Sequence, residues 1–394
     1  MRNFVASGVT LAVGLVVGPA VAAGSPEPRP AAGEAGALET LDAVLERVHE
    51  EQGASGVFLV VDGGEVVYER GFGDDGGSEA AAITPDTRFE VASLAKPMSA
   101  VALLTFVEDG VIALDDPVAE HLPGFPFEDV SVRHVLSHTS GLPWHGSFLR
   151  EHWRADREST PEALLSALAE SGVGLDAEPG TALRYSNLNY WTVARLVESV
   201  SGRPFAEVMR ERVFGPLEMD ATAVRTGELR AETAEGGVAV GEVRNASGAW
   251  VRAGDTAETA FVDFLAQTEG DVHVTSTARD VAKLRRVLRG EAVLDAATVG
   301  AMTTPVILEN GALAAGGGWK PFAVGLGWKL SRPAEVWHDG NWGGFVSFAS
   351  FEPPANDAFV YLLNRAPADL SVVGEVLAAV DGVLNSGEGA PVEY

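Results

Sequence analysis

Strand-like segments stand at the two ends of this chain, with helical segments between them. Near the start, Gly56-Val57-Phe58-Leu59-Val60-Val61 and Glu65-Val66-Val67-Tyr68-Glu69-Arg70 flank Asp62-Gly63-Gly64, a strand–turn–strand signal. Near the end, residues 324–330, 335–338, 345–351 and 358–363 read as strands, and 369–385 as a final helix. Strands must bury one face and satisfy their backbone groups, so the two ends are predicted to meet in one antiparallel sheet flanked by helices. The intervening stretch, about 110–275, then forms a mainly helical lobe. The fold class is α+β. Residues 38–52 carry Leu38, Leu41, Val44, Leu45 and Val48 at helical spacing and predict an amphipathic helix ahead of the first hairpin. At 394 residues the chain can bury a large core.

The first residues read as an export signal. Met1-Arg2-Asn3 is a short positive start, Phe4 to Val17 is an apolar run, and Ala20-Val21-Ala22 and Val21-Ala22-Ala23 both resemble cleavage sites. Cleavage is expected near Ala22 or Ala23, leaving a disordered lead-in over 24–37, a domain over 38–385 and a tail over 386–394. A secreted or periplasmic protein without a stable membrane anchor follows, an uncleaved anchor being the other reading. The net charge of −28 argues against nucleic acid or an anionic membrane surface as a partner. There is no cysteine, hence no disulfide, thiol nucleophile or thiolate metal site.

Chemistry concentrates in Phe89-Glu90-Val91-Ala92-Ser93-Leu94-Ala95-Lys96-Pro97. Pro97 is comfortable only in a first helical turn, which confines a helix start to the neighbourhood of Ser93. The run Met98–Val107 is nearly all apolar, so this helix is buried on most sides, and Gly110 is its stop. Residues three apart share a helix face, so Lys96 reaches the Ser93 hydroxyl. The helix start favours negative charge developing there. A buried amine favours its neutral, proton-accepting form, which would activate a serine with no histidine beside it. A capping serine with a solvated lysine has the same spelling. The chain has only four lysines, at 96, 283, 320 and 329.

Other motifs carry less. Gly71-Phe72-Gly73-Asp74-Asp75-Gly76 matches a dinucleotide pattern by letters, but no helix of a βαβ unit follows and two aspartates would repel a pyrophosphate. His134 and His138 stand at i, i+4, a spacing that can bind metal, yet no third ligand is evident and a structural role is expected. Tyr185 and Asn187 fall on a loop before a helix that Gly202 stops; a core tyrosine and a turn asparagine would look the same. Thr277-Ala278-Arg279-Asp280 reads as a capping box opening a helix through Leu288. Trp144, Trp153, Trp250 and Trp342 suit either an apolar cleft or the core.

Ser93-x-x-Lys96, Tyr185-x-Asn187 and His338-Asp339-Gly340, in that order, resemble the active-site set of the serine β-lactamase and penicillin-binding-protein superfamily. The resemblance is to the class C β-lactamase-like branch, which includes D-alanyl-D-alanine carboxypeptidases, D-aminopeptidases and esterases. It runs from about residue 38 to about 385, supported by Leu136–Pro143, Phe214–Met219 and Ser276–Asp280. It implies that Ser93 is acylated, that Lys96 and Tyr185 share proton transfer, and that Asn187 binds the substrate amide and orients Lys96. It also implies that Gly340 leaves room for substrate and that the N–H groups of Ser93 and Asn341 form an oxyanion hole. His338 replaces the lysine usual in class C β-lactamases and, when neutral, cannot hold a substrate carboxylate as a lysine does. The function implied is an exported serine hydrolase acting on an amide or ester of a small molecule or peptide, with no metal or organic cofactor. Peptidase or esterase activity is favoured over β-lactamase activity. The alternatives are a class C-type β-lactamase and a non-catalytic sensor of penicillin or peptidoglycan fragments. An α/β-hydrolase ranks low, because no Gly-x-Ser-x-Gly elbow is present.

Overall fold

The computed structural model describes residues 34–77, 80–154, 156–225, 237–317, 320–331, 334–367 and 372–384. The export signal, most of the lead-in and the tail lie outside these residues. The first helix, α1, spans Glu34–Gln52, so residues 34–37 of the expected lead-in are helical.

Eight strands build one antiparallel sheet: β1 (Ser55–Asp62), β2 (Glu65–Phe72), β3 (Ala315–Gly316), β4 (Phe322–Val324), β5 (Lys329–Ser331), β6 (Glu335–Trp342), β7 (Phe345–Glu352) and β8 (Asp357–Arg365). Their order across the sheet is β2-β1-β8-β7-β6-β5-β4-β3. The two chain ends meet where β1 pairs with β8, with Val57 opposite Leu362 and Leu59 opposite Val360.

Both faces of β1 are covered, which explains its unbroken apolar run. Val57, Leu59 and Val61 point into the large core shared with the helical lobe. Phe58 and Val60 point the other way, onto Leu41 and Leu45 of α1 and onto Val376 and Val380 of the last helix, Val372–Leu384. This is the period-2 alternation of a strand lodged between two layers.

The helical lobe is organised on two buried helices, α2 (Ala95–Glu108) and α3 (Asn187–Ser201). Gly202 takes the left-handed conformation that ends α3, and Gly110 (φ +69°) follows the end of α2. The stretch 225–270 holds a small hairpin, Glu242–Arg244 with Trp250–Arg252. The helix expected from Thr277 through Leu288 is two short ones, Ala278–Ala282 and Arg285–Leu288. Thr277 does cap the first, but the Asp280 carboxylate accepts from the Ala221 N–H and the Thr222 hydroxyl, both at 2.9 Å. The acid that reads as half of a capping box is spent on a tertiary contact. Asp74 of the glycine-rich stretch is gripped by both terminal nitrogens of Arg365, at 2.7 and 2.8 Å, which gives that stretch a structural role.

Candidate active site

Ser93 lies in a single 3-10 turn, Ala92–Leu94, that leads into α2. Its side chain caps nothing: the residue preceding the helix is Leu94, and no side-chain cap bond is made there. The turn is set by Ala92, a buried non-glycine residue at φ +50°. A left-handed alanine costs about 1–2 kcal/mol and persists only where its surroundings impose it.

The Ser93 hydroxyl is approached from two sides. Lys96, one turn along and fully buried, donates from Nζ to Ser93 Oγ at 2.9 Å. The Tyr185 hydroxyl, from the loop before α3, lies 3.0 Å from the same oxygen, either group donating. Lys96 is held in place by a second bond, from Nζ to the Asp271 carbonyl at 3.0 Å, and by the rings of Tyr185 and Tyr190, 5.2 and 5.8 Å away.

Asn187, the first residue of α3, lines the same cleft, and among the described residues its Oδ1 is buried without a hydrogen-bond partner. The expected orientation of Lys96 by Asn187 is not what the geometry contains; the backbone carbonyl of Asp271 does that instead. Nothing in sequence marks a carbonyl as special, since every residue has one. The Asp271 carboxyl is itself buried, and burial pushes its pKa up against the pull of Lys96.

His338 is buried on β6, opposite Ala349 of β7. Its Nδ1 lies 2.7 Å from the Asp339 carbonyl. A carbonyl can only accept, so Nδ1 carries the hydrogen and Nε2 is the acceptor. Burial, then the charges of Lys329 and Lys96, hold its pKa well below the usual histidine range. Asp339 alternates away from His338 along the strand and pairs with Lys329.

Gly340 has a reason within the fold itself. A Cβ there would stand 2.7 Å from the Ser93 nitrogen, 2.9 Å from Ala92 Cβ and 2.5 Å from Ser347 Oγ. The missing side chain makes room for the nucleophile's own turn. Asn341 follows on β6, exposed and opposite Val346.

His134 and His138 do not converge. His134 completes a helix cap, its Nδ1 accepting from the Ser131 N–H. His138, at φ +56°, lies against the Tyr185 ring. Its i, i+4 spacing alone predicts a structural role for His138; the signal that it belongs to the site is its place within Leu136–Pro143, a stretch that supports the family resemblance.

The cleft above Ser93 has a volume of about 1660 Å³, beyond the usual size of a small-ligand site. Trp144, Trp153, Trp250 and Trp342, the four tryptophans that suit a cleft by sequence, all contribute to its walls, as does Trp328.

The family model described as Beta-lactamase matches residues 41–381. The chain is similar to penicillin-binding protein 4* of Bacillus subtilis (strain 168), 28% identical over 349 residues that cover 87% of this chain and 75% of that protein. A D-aminopeptidase of Cereibacter sphaeroides is 31% identical over 204 residues, 50% of this chain and 37% of its own length. Among solved structures, EstCE1, described as a hydrolase with promiscuous acyltransferase activity, superposes with a TM-score of 0.73 at 23% identity, covering 89% of this chain and 99% of that one.

Proposed function

This chain belongs to the β-lactamase family and is a serine hydrolase of that fold; from that premise we propose that it cleaves an uncharged amide or ester through an acyl-enzyme on Ser93. The observation that carries this reading is the placing of Ser93 Oγ within hydrogen-bond reach of both Lys96 Nζ and Tyr185 OH, at 2.9 and 3.0 Å.

In this mechanism Ser93 Oγ attacks the substrate carbonyl while its proton passes into the Lys96–Tyr185 pair. Both groups reach the same oxygen, so the proton passes to the pair and not to one named member. The oxyanion is met by the N–H groups of Ser93 and Asn341; one such donor is worth roughly 3 kcal/mol in the barrier. The pair then protonates the leaving group. Water attacks the acyl-enzyme by the reverse route. Asn187 Oδ1 accepts a hydrogen bond from the substrate amide.

The leaving side of the cleft supports a substrate without an anchored carboxylate. His338 is neutral, and Lys329 is paired with Asp339 and packed over the Trp337 ring on the opposite face of β6. Peptidase or esterase activity therefore ranks above efficient β-lactamase activity, in keeping with the printed names of the D-aminopeptidase and EstCE1. We also propose export with signal cleavage near Ala22 or Ala23, and a small-molecule or peptide substrate as the partner.

Ser93→Ala should abolish both turnover and covalent labelling by a serine-reactive phosphonate, read by intact-mass spectrometry. Full activity in that variant rejects the mechanism. A parallel kinetic screen with nitrocefin, a p-nitrophenyl ester and D-alanyl peptides ranks the substrate classes.

A further inference from the structure

Behind the nucleophile lies a second set of buried groups that the mechanism above does not use. Glu90 and His273 are 3% and 0% exposed. Glu90 ends the short strand Phe89–Glu90, which pairs with Val274–Ser276. One oxygen of its carboxylate, Oε1, accepts two backbone N–H bonds, from Ala92 at 3.3 Å and from His273 at 2.8 Å.

These two donors are not ordinary backbone. Ala92 (φ +50°) precedes the nucleophile, and His273 (φ +66°) lies two residues after Asp271, whose carbonyl holds Lys96. Both are non-glycine residues in the left-handed region, a strained state that needs external support. The carboxylate ties together the turn that presents Ser93 and the segment that orients Lys96.

The other oxygen faces the imidazole. His273 Nε2 is 2.9 Å from the Leu265 carbonyl and must donate to it. His273 Nδ1 then looks at Glu90 Oε2 across 3.5 Å. Two lone pairs facing each other in a dry interior repel, so one hydrogen belongs between them. The ring also stands edge-on to Trp342 of the cleft wall, centroids 5.6 Å apart.

We infer that Glu90 is a positioning residue for the serine chemistry proposed above, acting by its reach to the Ala92 and His273 N–H groups and backed by His273. It touches no reacting atom. Its effect is to hold Ser93 and Lys96 in one register.

Reach and charge separate by substitution. In Glu90→Gln the side-chain length is kept, the amide oxygen can accept both N–H bonds, and the amide NH2 supplies the hydrogen that His273 Nδ1 needs. In Glu90→Asp the charge is kept and the reach is lost. The measurement is the rate of Ser93 labelling by a phosphonate, with kcat and KM on the best ester, on protein whose fold is checked by circular dichroism. Glu90→Gln should label within about threefold of the wild type. Glu90→Asp should label at least tenfold more slowly, with the loss in kcat and KM unchanged. Adding Ala92→Gly to Glu90→Asp should restore most of the rate, because glycine takes φ +50° freely. Wild-type labelling in Glu90→Asp, equal losses in both single variants, or a loss in Glu90→Gln alone each overturn the inference. So does an unfolded Glu90→Asp, which would assign the carboxylate to the core and not to the site. A wild-type protein that is not labelled overturns the serine reading instead.

Discussion

The imidazole of His138 lies against the phenol of Tyr185, ring centroids 4.4 Å apart and planes inclined by 33°. Burial and the nearby charge of Lys96 hold the His138 pKa well below the usual range, so the ring is neutral. Its Nδ1 accepts from Asn189 Nδ2 at 3.1 Å, which fixes the ring on α3. Tyr185 is 41% exposed, so this stacking is a main restraint on a hydroxyl that must meet Ser93. His138→Asn keeps a residue tolerant of φ +56° and removes the ring. A stacked pair is worth about 0.5–1.5 kcal/mol, so kcat should fall up to about tenfold with KM little changed. An unchanged kcat in the folded variant would show that Tyr185 needs no such support.

Gly340→Ala should be far more damaging than its size suggests. The new methyl meets the backbone of the Ser93 turn, which cannot retreat as a flexible side-chain tip would. Overpacking of this kind costs about 1–3 kcal/mol of stability. Displacing the nucleophile by a fraction of an ångström should lower kcat on the order of a hundredfold. Phosphonate labelling and a urea midpoint, measured together, check both; wild-type labelling would mean that the turn does not sit against β6.

Asp339→Asn should leave both binding and chemistry alone. It releases Lys329 from its ion pair, but that amine packs over the Trp337 and Phe322 rings, on the face of the sheet away from Ser93. Esters with and without a carboxylate on the leaving side should keep KM within about twofold, a partly exposed ion pair being worth at most about 1 kcal/mol. A KM lowered for the carboxylate esters alone would place Lys329 in the substrate site.

Stability should fall on mild acidification. His134, His138, His145 and His338 all have pKa values depressed in the fold, His145 to about 3, chiefly by burial. Unfolded histidines take up protons near ~6.5, so below that pH the unfolded chain binds protons that the fold excludes. Glu269, pushed up to about 7 by burial and by Glu198, and Asp271 and Asp357, also raised by burial, act the other way. The four histidines outnumber these three carboxyls, so between roughly pH 5 and 6.5 the unfolded chain holds more protons and stability falls as the pH falls. Urea titrations at the two ends of that window should give the lower stability at the acid end. Equal or greater stability there would mean that the histidines are not excluded from protonation.

What sequence alone determined about this protein is whatever rests on local spacing or on chain-end pairing. Ser93 and Lys96 lie three apart at the mouth of an apolar helix, and backbone geometry brings them together wherever that helix packs. Strands at both ends demanded a shared sheet, and β1 pairs with β8. Tyr185 needed the order of three motifs, because nothing local separates it from a core tyrosine.

Only the tertiary structure decided which backbone groups and which apparent bystanders complete the site. The Asp271 carbonyl on Lys96, the Glu90 carboxylate on the His273 N–H and the His138 ring on Tyr185 join segments remote in sequence. Asp280 reads as a local cap yet binds residues 221 and 222, and the room that Gly340 leaves for the Ser93 turn has no sign in the sequence. A spacing rule describes one element at a time. These contacts are set by how elements approach one another, and an amide, a carbonyl or an absent Cβ is spelled the same way wherever it ends up.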